Sequence, residues 1–173
     1  MLQSSIFQWP RGAGWLVLSG GGDFQSGETE AVDSRMLTRS AADGPLVFIN
    51  AAEPDYQQSE AYLNYLSDLG GRSGYTLDII AEDDTTLTTL LGEAGIIMIG
   101  DGPEKTRLFN ALHGAAIQGI QKAYEQGALV IGNGIGAEVF GQWVLAPTSN
   151  EPARSGFAWL SNAAIISGAV TEN

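Results

Sequence analysis

Residues 128–141 read ALVIGNGIGAEVFG. A short apolar run stops at a glycine-dense turn, and a helix-like pattern follows. A strand, a sharp turn carrying G-x-S-x-G and a helix make a nucleophile elbow, which presents a serine hydroxyl for acyl transfer. Here the turn is Gly132-Asn133-Gly134-Ile135-Gly136, and the serine position holds Gly134. A glycine has nothing to attack with, and the Asn133 amide cannot replace a hydroxyl or thiol. The stretch is either an elbow without its nucleophile or a tight turn that simply needs glycine.

Other residues with chemical potential lie at similar turns. Gly20-Gly21-Gly22-Asp23 follows WLVLS, Asn50-Ala51-Ala52-Glu53 follows LVFI, and Gly100-Asp101-Gly102-Pro103 follows IIMI. Glycine lets backbone N–H groups face a ligand or an oxyanion. The sole histidine, His113, sits inside a helix-like segment before the elbow, with no apparent partner for base catalysis. The acids Glu82-Asp83-Asp84 point in different directions with no histidine beside them, so they read as a solvated turn and no metal is expected. Asp23, Glu28 and Glu30 suit a helix start, where acids complement the dipole, or could meet a cationic group. Lys105 and Arg107 could face an anion, and read more simply as solvated surface. Trp143, Phe157 and Trp159 read as core, or as cover for a sheet edge or a subunit contact.

These turns need a scaffold. Strand-length apolar runs recur at Trp15–Ser19, Leu46–Asn50, Leu77–Ala81, Ile96–Ile99 and Ala128–Ile131. Near-continuous runs mark strands buried on both faces of a parallel sheet. Helix-like segments alternate with them at 27–42, 59–69, 85–91 and 105–126, the last weakened or split by Gly114 and Gly119. Beyond Gly141 come short apolar pieces at Gln142–Leu145 and Phe157–Leu160, a loop at Ala146–Gly156, and a candidate last strand at Ala164–Ser167. The expected class is α/β: one domain of three layers, with a mostly parallel sheet flanked by helices. Ligands in such sheets sit beyond the carboxyl ends of the strands, where all four turns lie.

The chain has 173 residues, of which 44% are apolar, enough for a real core. Its net charge of −12 argues against nucleic acid or an anionic membrane as partner. It lacks cysteine, which excludes disulfides, thiolate metal sites and a cysteine nucleophile. The first residues lack a basic start and a long apolar run, and no stretch approaches the ~20 apolar residues that span a bilayer. A soluble, cytoplasmic protein without cofactor is the expectation.

The ordered elements LSGGGD, INAAEP, MIGDGPEKTRLFNAL and VIGNGIGAEVFG resemble the cyanophycinase and aspartyl dipeptidase family of serine peptidases. The resemblance runs over residues 14–141. It implies a class I glutamine amidotransferase-like (flavodoxin-like) fold. The family's G-G-x-x-x-x-L-like turn corresponds to Gly100-Asp101-Gly102 with Leu108, and its G-x-S-A-G-A to Gly132 through Ala137. The family's serine falls on Gly134, and its histidine, expected shortly after residue 166, is missing from Ser167-Gly168-Ala169-Val170. The resemblance therefore implies a catalytically degenerate member with no catalytic residue at Asn133, Gly134 or Ile135.

An oxyanion hole could outlive the nucleophile. The backbone N–H groups of Ile135 and of Gly20–Gly22, with the positive end of the following helix, would suit a small anionic ligand or a peptide. The expected ligand site is thus Gly20, Gly21, Gly22, Gly100, Asp101, Gly102, Gly134 and Ile135. Three classes stand side by side: a non-hydrolytic binding or assembly protein, an active hydrolase of acidic peptides with another nucleophile, and a nucleotide-binding domain. The last rests on Gly132-x-Gly134-x-x-Ala137, which fits a dinucleotide fingerprint but follows the fifth strand rather than the first. A homodimer covering an exposed sheet edge is also expected.

Overall fold

The computed structural model describes residues 11–53, 56–145 and 154–168. The N-terminal stretch before Arg11, most of the loop at 146–156, and the chain after Gly168 lie outside the described residues. Five strands form the central sheet: β1 (Trp15–Ser19), β2 (Leu46–Ile49), β3 (Gly74–Leu77), β4 (Ile96–Ile99) and β5 (Leu129–Asn133). Their order is β1-β5-β4-β2-β3, and every pairing is parallel.

The alternation of side chains along the strands builds two cores. Leu46, Phe48, Ile96, Met98, Leu129 and Ile131 point to one face and meet Met36 of α1 (Glu30–Leu37) and Tyr62 and Leu66 of α2 (Tyr56–Asp68). Val47, Ile49, Ile97, Ile99 and Val130 point to the other face. There they meet Leu87 and Leu91 of α3 (Asp84–Gly92), Leu108 and Leu112 of α4 (Lys105–Leu112) and Ile120 of α5 (Ala115–Glu125). All four residues of β2 and of β4 are buried, as their unbroken apolar sequences require. Each such side chain contributes about 1.5–3 kcal/mol on burial.

Several elements depart from their sequence reading. The third strand is not Leu77–Ala81 but Gly74–Leu77. Asp78 stops it: its carboxylate accepts the Ile80 N–H at 3.0 Å and its carbonyl accepts the Ala81 N–H at 3.2 Å, turning the chain. Ile79 is still buried, so the apolar run reflects burial without a strand. The long segment 105–126 splits at His113-Gly114, whereas Gly119 stays inside α5. A Cβ at Gly119 would stand 2.8 Å from the Leu91 Cβ and 3.1 Å from the Leu87 carbonyl, so this glycine lets α5 press against α3.

A second, small sheet was not legible. It orders β7 (Arg154–Ser155), β6 (Gly141–Val144) and β8 (Leu160–Ala164), with β6 antiparallel to β7 and parallel to β8. The last strand therefore ends at Ala164, where the sequence reading began it. Its irregular register passes through Asn162, whose φ is +58° and whose N–H is held by the Gln142 side chain. Phe157 and Trp159 pack into the main core, while Trp143 is largely exposed. Among the described residues no helix is long and apolar enough to cross a membrane.

Candidate functional site

The sheet order places β2 and β4 side by side where the winding reverses, since β2 leads outward to β3 and β3 returns to β4. A crevice opens beyond the carboxyl ends at such a switch point. Into it run the turn after β1, the turn after β2, the Gly100–Pro103 turn after β4 and the elbow after β5.

The elbow is real in its backbone. β5 ends at Asn133, Gly134 has φ +53° and ψ −120°, and the short helix α6 (Ile135–Glu138) begins at once. A side chain in that conformation stores about 1–3 kcal/mol of strain, as nucleophile elbows do. The flanking glycines are steric necessities. A Cβ on Gly132 would lie 2.5 Å from the Gly136 carbonyl, and one on Gly136 would strike the Ile99 carbonyl. The helix can fold tightly back on its strand only because both lack side chains.

Asp101 decides what fills the elbow. Its Oδ1 accepts the Ile135 N–H at 2.8 Å. A Cβ built on Gly134 would fall directly on the Asp101 carboxylate. The space that a nucleophile's side chain would take is therefore occupied by an aspartate from the neighbouring strand's turn. The Gly134 N–H donates to the Ser19 carbonyl at 2.9 Å, which ties the elbow to the end of β1.

The first glycine turn is also engaged internally. The Gly21 N–H donates to the Ser19 hydroxyl at 3.3 Å. Asp23 and Glu28 close the loop into α1: the Asp23 N–H donates to the Glu28 carboxylate at 3.0 Å and the Gln25 N–H to the Asp23 carboxylate at 2.9 Å. Asp83, from the acidic cluster, caps α3: the Thr86 N–H and hydroxyl, and then the Thr85 N–H, donate to its carboxylate and hold it below the usual range. Among the described residues no group of three or more His, Cys, Asp or Glu could hold a metal ion.

Peptidase family S51 matches the sequence over residues 15–154. The chain belongs to that family. No curated protein matches it. Two solved structures share its fold. A peptidase from an acI-B1 Actinobacterium superposes with a TM-score of 0.73 at 20% identity, over 92% of this chain and 70% of that one. A putative peptidase E protein from Listeria monocytogenes EGD-e gives a TM-score of 0.62 at 21% identity, over 83% of this chain and 73% of that one.

Within this S51 chain, the crevice is a cavity of about 210 Å³. Of the residues expected from sequence, Gly21, Gly22, Asp101 and Gly102 line it; Gly20, Gly100, Gly134 and Ile135 do not, although Asp101 links it to the last two. Sequence reasoning missed Phe24, Phe48, Gln58, Ser59 and Tyr62. Three of these stand on one face of α2 at i, i+1 and i+4, a spacing that could have pointed to them once α2 was placed after β2. Tyr62 is fixed from behind: its hydroxyl donates to buried Asp33 at 2.9 Å, and burial first and then the Asp33 charge push its pKa far upward.

The other end of α6 carries the second cluster. Glu138 is buried and forms an ion pair with Lys105. Its Oε1 accepts the Ser167 N–H at 3.0 Å and the Ser167 hydroxyl at 2.7 Å. Burial opposes the charged form, yet Lys105 and Ser167 outweigh it and hold the Glu138 carboxyl below its ordinary value. Ser167 lies where the resemblance places the approach to a catalytic histidine, and here it fastens the small sheet's tail to the elbow helix. His113 is engaged elsewhere. Its Nδ1 lies 2.7 Å from the Phe109 carbonyl and its ring packs on Phe109 and Phe157.

Proposed function

We propose that this S51 chain is a non-hydrolytic member of its family that holds a small ligand in the crevice beyond its strand ends. The observation that carries the proposal is Asp101 lodged against Gly134, with its carboxylate on the Ile135 N–H. Acyl transfer requires a nucleophile, a base in hydrogen-bond reach, and donors free for a developing oxyanion. Gly134 offers no nucleophile, His113 is turned to Phe109, and the elbow donor already holds an anion. A fixed carboxylate at that point also repels the negative charge that a tetrahedral intermediate would develop.

The test is turnover of a panel of α- and β-aspartyl dipeptides by the purified chain, with a fluorophosphonate to label any reactive serine. The expected result is turnover at buffer background and no label. Turnover above background overturns the reading. A second reading draws on the same Asp101: its place at the elbow would let it take a proton from water as a general base. In that case the turnover disappears in Asp101→Asn. A homodimer remains part of the proposal, because Trp143 and Leu145 are exposed beside the small sheet. Light scattering during gel filtration reads the mass directly, and a monomer at all concentrations removes that part.

A further inference from the structure

We propose that the crevice binds a small organic ammonium ion, with Asp101 as its counter-charge. This rests on the non-hydrolytic reading above and names the chemical class of the ligand.

Four donors in and beside the cavity are engaged within the protein. The Tyr62 hydroxyl donates to Asp33, the Ser59 hydroxyl to the Tyr56 carbonyl at 2.8 Å, the Gly21 N–H to Ser19, and the Ile135 N–H to Asp101. One charged acceptor is left over. The second carboxylate oxygen of Asp101 faces the Gly21 turn, 3.9 Å from where a Cβ on Gly21 would stand, and receives no hydrogen bond from any described residue. An open carboxylate oxygen favours an occupant that brings N–H groups over one that brings lone pairs.

Charge points the same way. Among the described residues Asp101 is the sole charged one lining the cavity, and no lysine or arginine lines it. The chain as a whole carries −12, which favours cations at every surface. Two donors that would have served an anion, the Gly21 and Ile135 N–H groups, are already closed by Ser19 and Asp101.

Size and wall chemistry set the rest of the ligand. At about 210 Å³ the cavity is smaller than the ~300–1,000 Å³ typical of drug-sized sites, so the occupant is no larger than an amino acid. One wall is aromatic: the Tyr62 ring lies 4.9 Å from Phe24 and 6.0 Å from Phe48 between centroids. Such a wall takes a compact apolar or aromatic tail and attracts a cation over its ring faces. The ligand is therefore a primary ammonium on a short apolar body, for which no carboxylate is required.

The probes are benzylammonium, benzyl alcohol and benzoate, which share a shape and differ in charge. Each is titrated calorimetrically into the intact protein, at low and at high salt. Benzylammonium is expected to bind at least about tenfold more tightly than the other two, and to weaken as salt rises. Equal or tighter binding of benzoate, or no heat with any probe, overturns the proposal without recourse to a variant. Asp101→Asn keeps the acceptor for Ile135 and removes the charge; it should weaken benzylammonium about tenfold or more. An Asp101→Asn protein with native circular dichroism and unchanged affinity also overturns it. Dipeptide turnover is measured on the same preparations. Turnover alone would strike the non-hydrolytic reading, and a silent titration alone would strike the ammonium site.

Discussion

At its start, helix α6 leans on Asp101, an exposed residue whose carboxylate accepts a single hydrogen bond from the Ile135 N–H. At its end, Glu138 is buried and answers three groups, the Lys105 ammonium and two donors of Ser167. Both ends use one carboxylate, but they serve different purposes. The Glu138 cluster leaves no oxygen open and joins three distant parts of the chain. The Asp101 contact leaves one oxygen open on a cavity. A carboxylate whose hydrogen bonds are complete is a fastener, whereas one held at half its capacity is available for recognition.

That contrast can be broken most forcefully at Glu138. Glu138→Ala strands a mostly buried Lys105 ammonium and two Ser167 donors, and should lower unfolding free energy by about 3 kcal/mol in urea titrations. A loss below about 1 kcal/mol would mean the cluster holds little together.

Gly134→Ser comes next. The new side chain needs a strained backbone and falls on the Asp101 carboxylate, so a loss of about 2 kcal/mol is expected. Part of that loss should vanish in the Gly134→Ser, Asp101→Gly double variant, because the two residues compete for one space. Strict additivity in the double-mutant cycle would contradict the observed packing. Neither variant should acquire dipeptide turnover, since in the first Asp101 fills the space of the new hydroxyl, in the second it is gone, and His113 is turned to Phe109.

A pH series sharpens the comparison further. Burial works against the charged Glu138, and Lys105 and Ser167 overcome it, so its native pKa lies below its unfolded one. The stabilisation is then complete above the ordinary carboxylate range of about 4–4.5 and drains away as pH falls through the lower native value. Urea midpoints should fall on acidification, and Glu138→Gln should flatten that limb. The smallest effect on folding belongs to Asp101→Asn, which keeps its acceptor for Ile135 and should change stability by less than about 1 kcal/mol. A larger loss would make Asp101 a fastener as well.

How much of this was legible depended on distance along the chain. β2 and β4 could be read because LVFI and IIMI are buried on both faces, and a fully apolar tetrad between turns has few other meanings. β3 was misplaced because Ile79 is buried from a turn, and composition does not separate burial from strand geometry. The small sheet was invisible because LSNAA and RS carry almost no apolar signal. At the site, the glycine turns could be found because they are local, and their family was recognised from their order. The Asp101 carboxylate on the Ile135 N–H was not foreseen, because it spans 34 positions and no spacing rule connects them. Ser59 and Tyr62 on α2 look in sequence like any half-polar helix face; only the crevice distinguishes them from solvated residues.

The strand order also has a consequence for how the chain reaches this state. Trp15 of β1 is paired with Leu129 of β5, whereas β2, β3 and β4 pair among themselves over much shorter separations. Pairing at long sequence separation is slow, because a large loop must close before any contact rewards it. During synthesis the β2–β4 segment can assemble while WLVLS waits without a neighbour until β5 has been made. The elbow, tied through Gly134 to the end of β1, is then among the last features to form, and the newborn chain carries an unpaired apolar strand through most of its elongation.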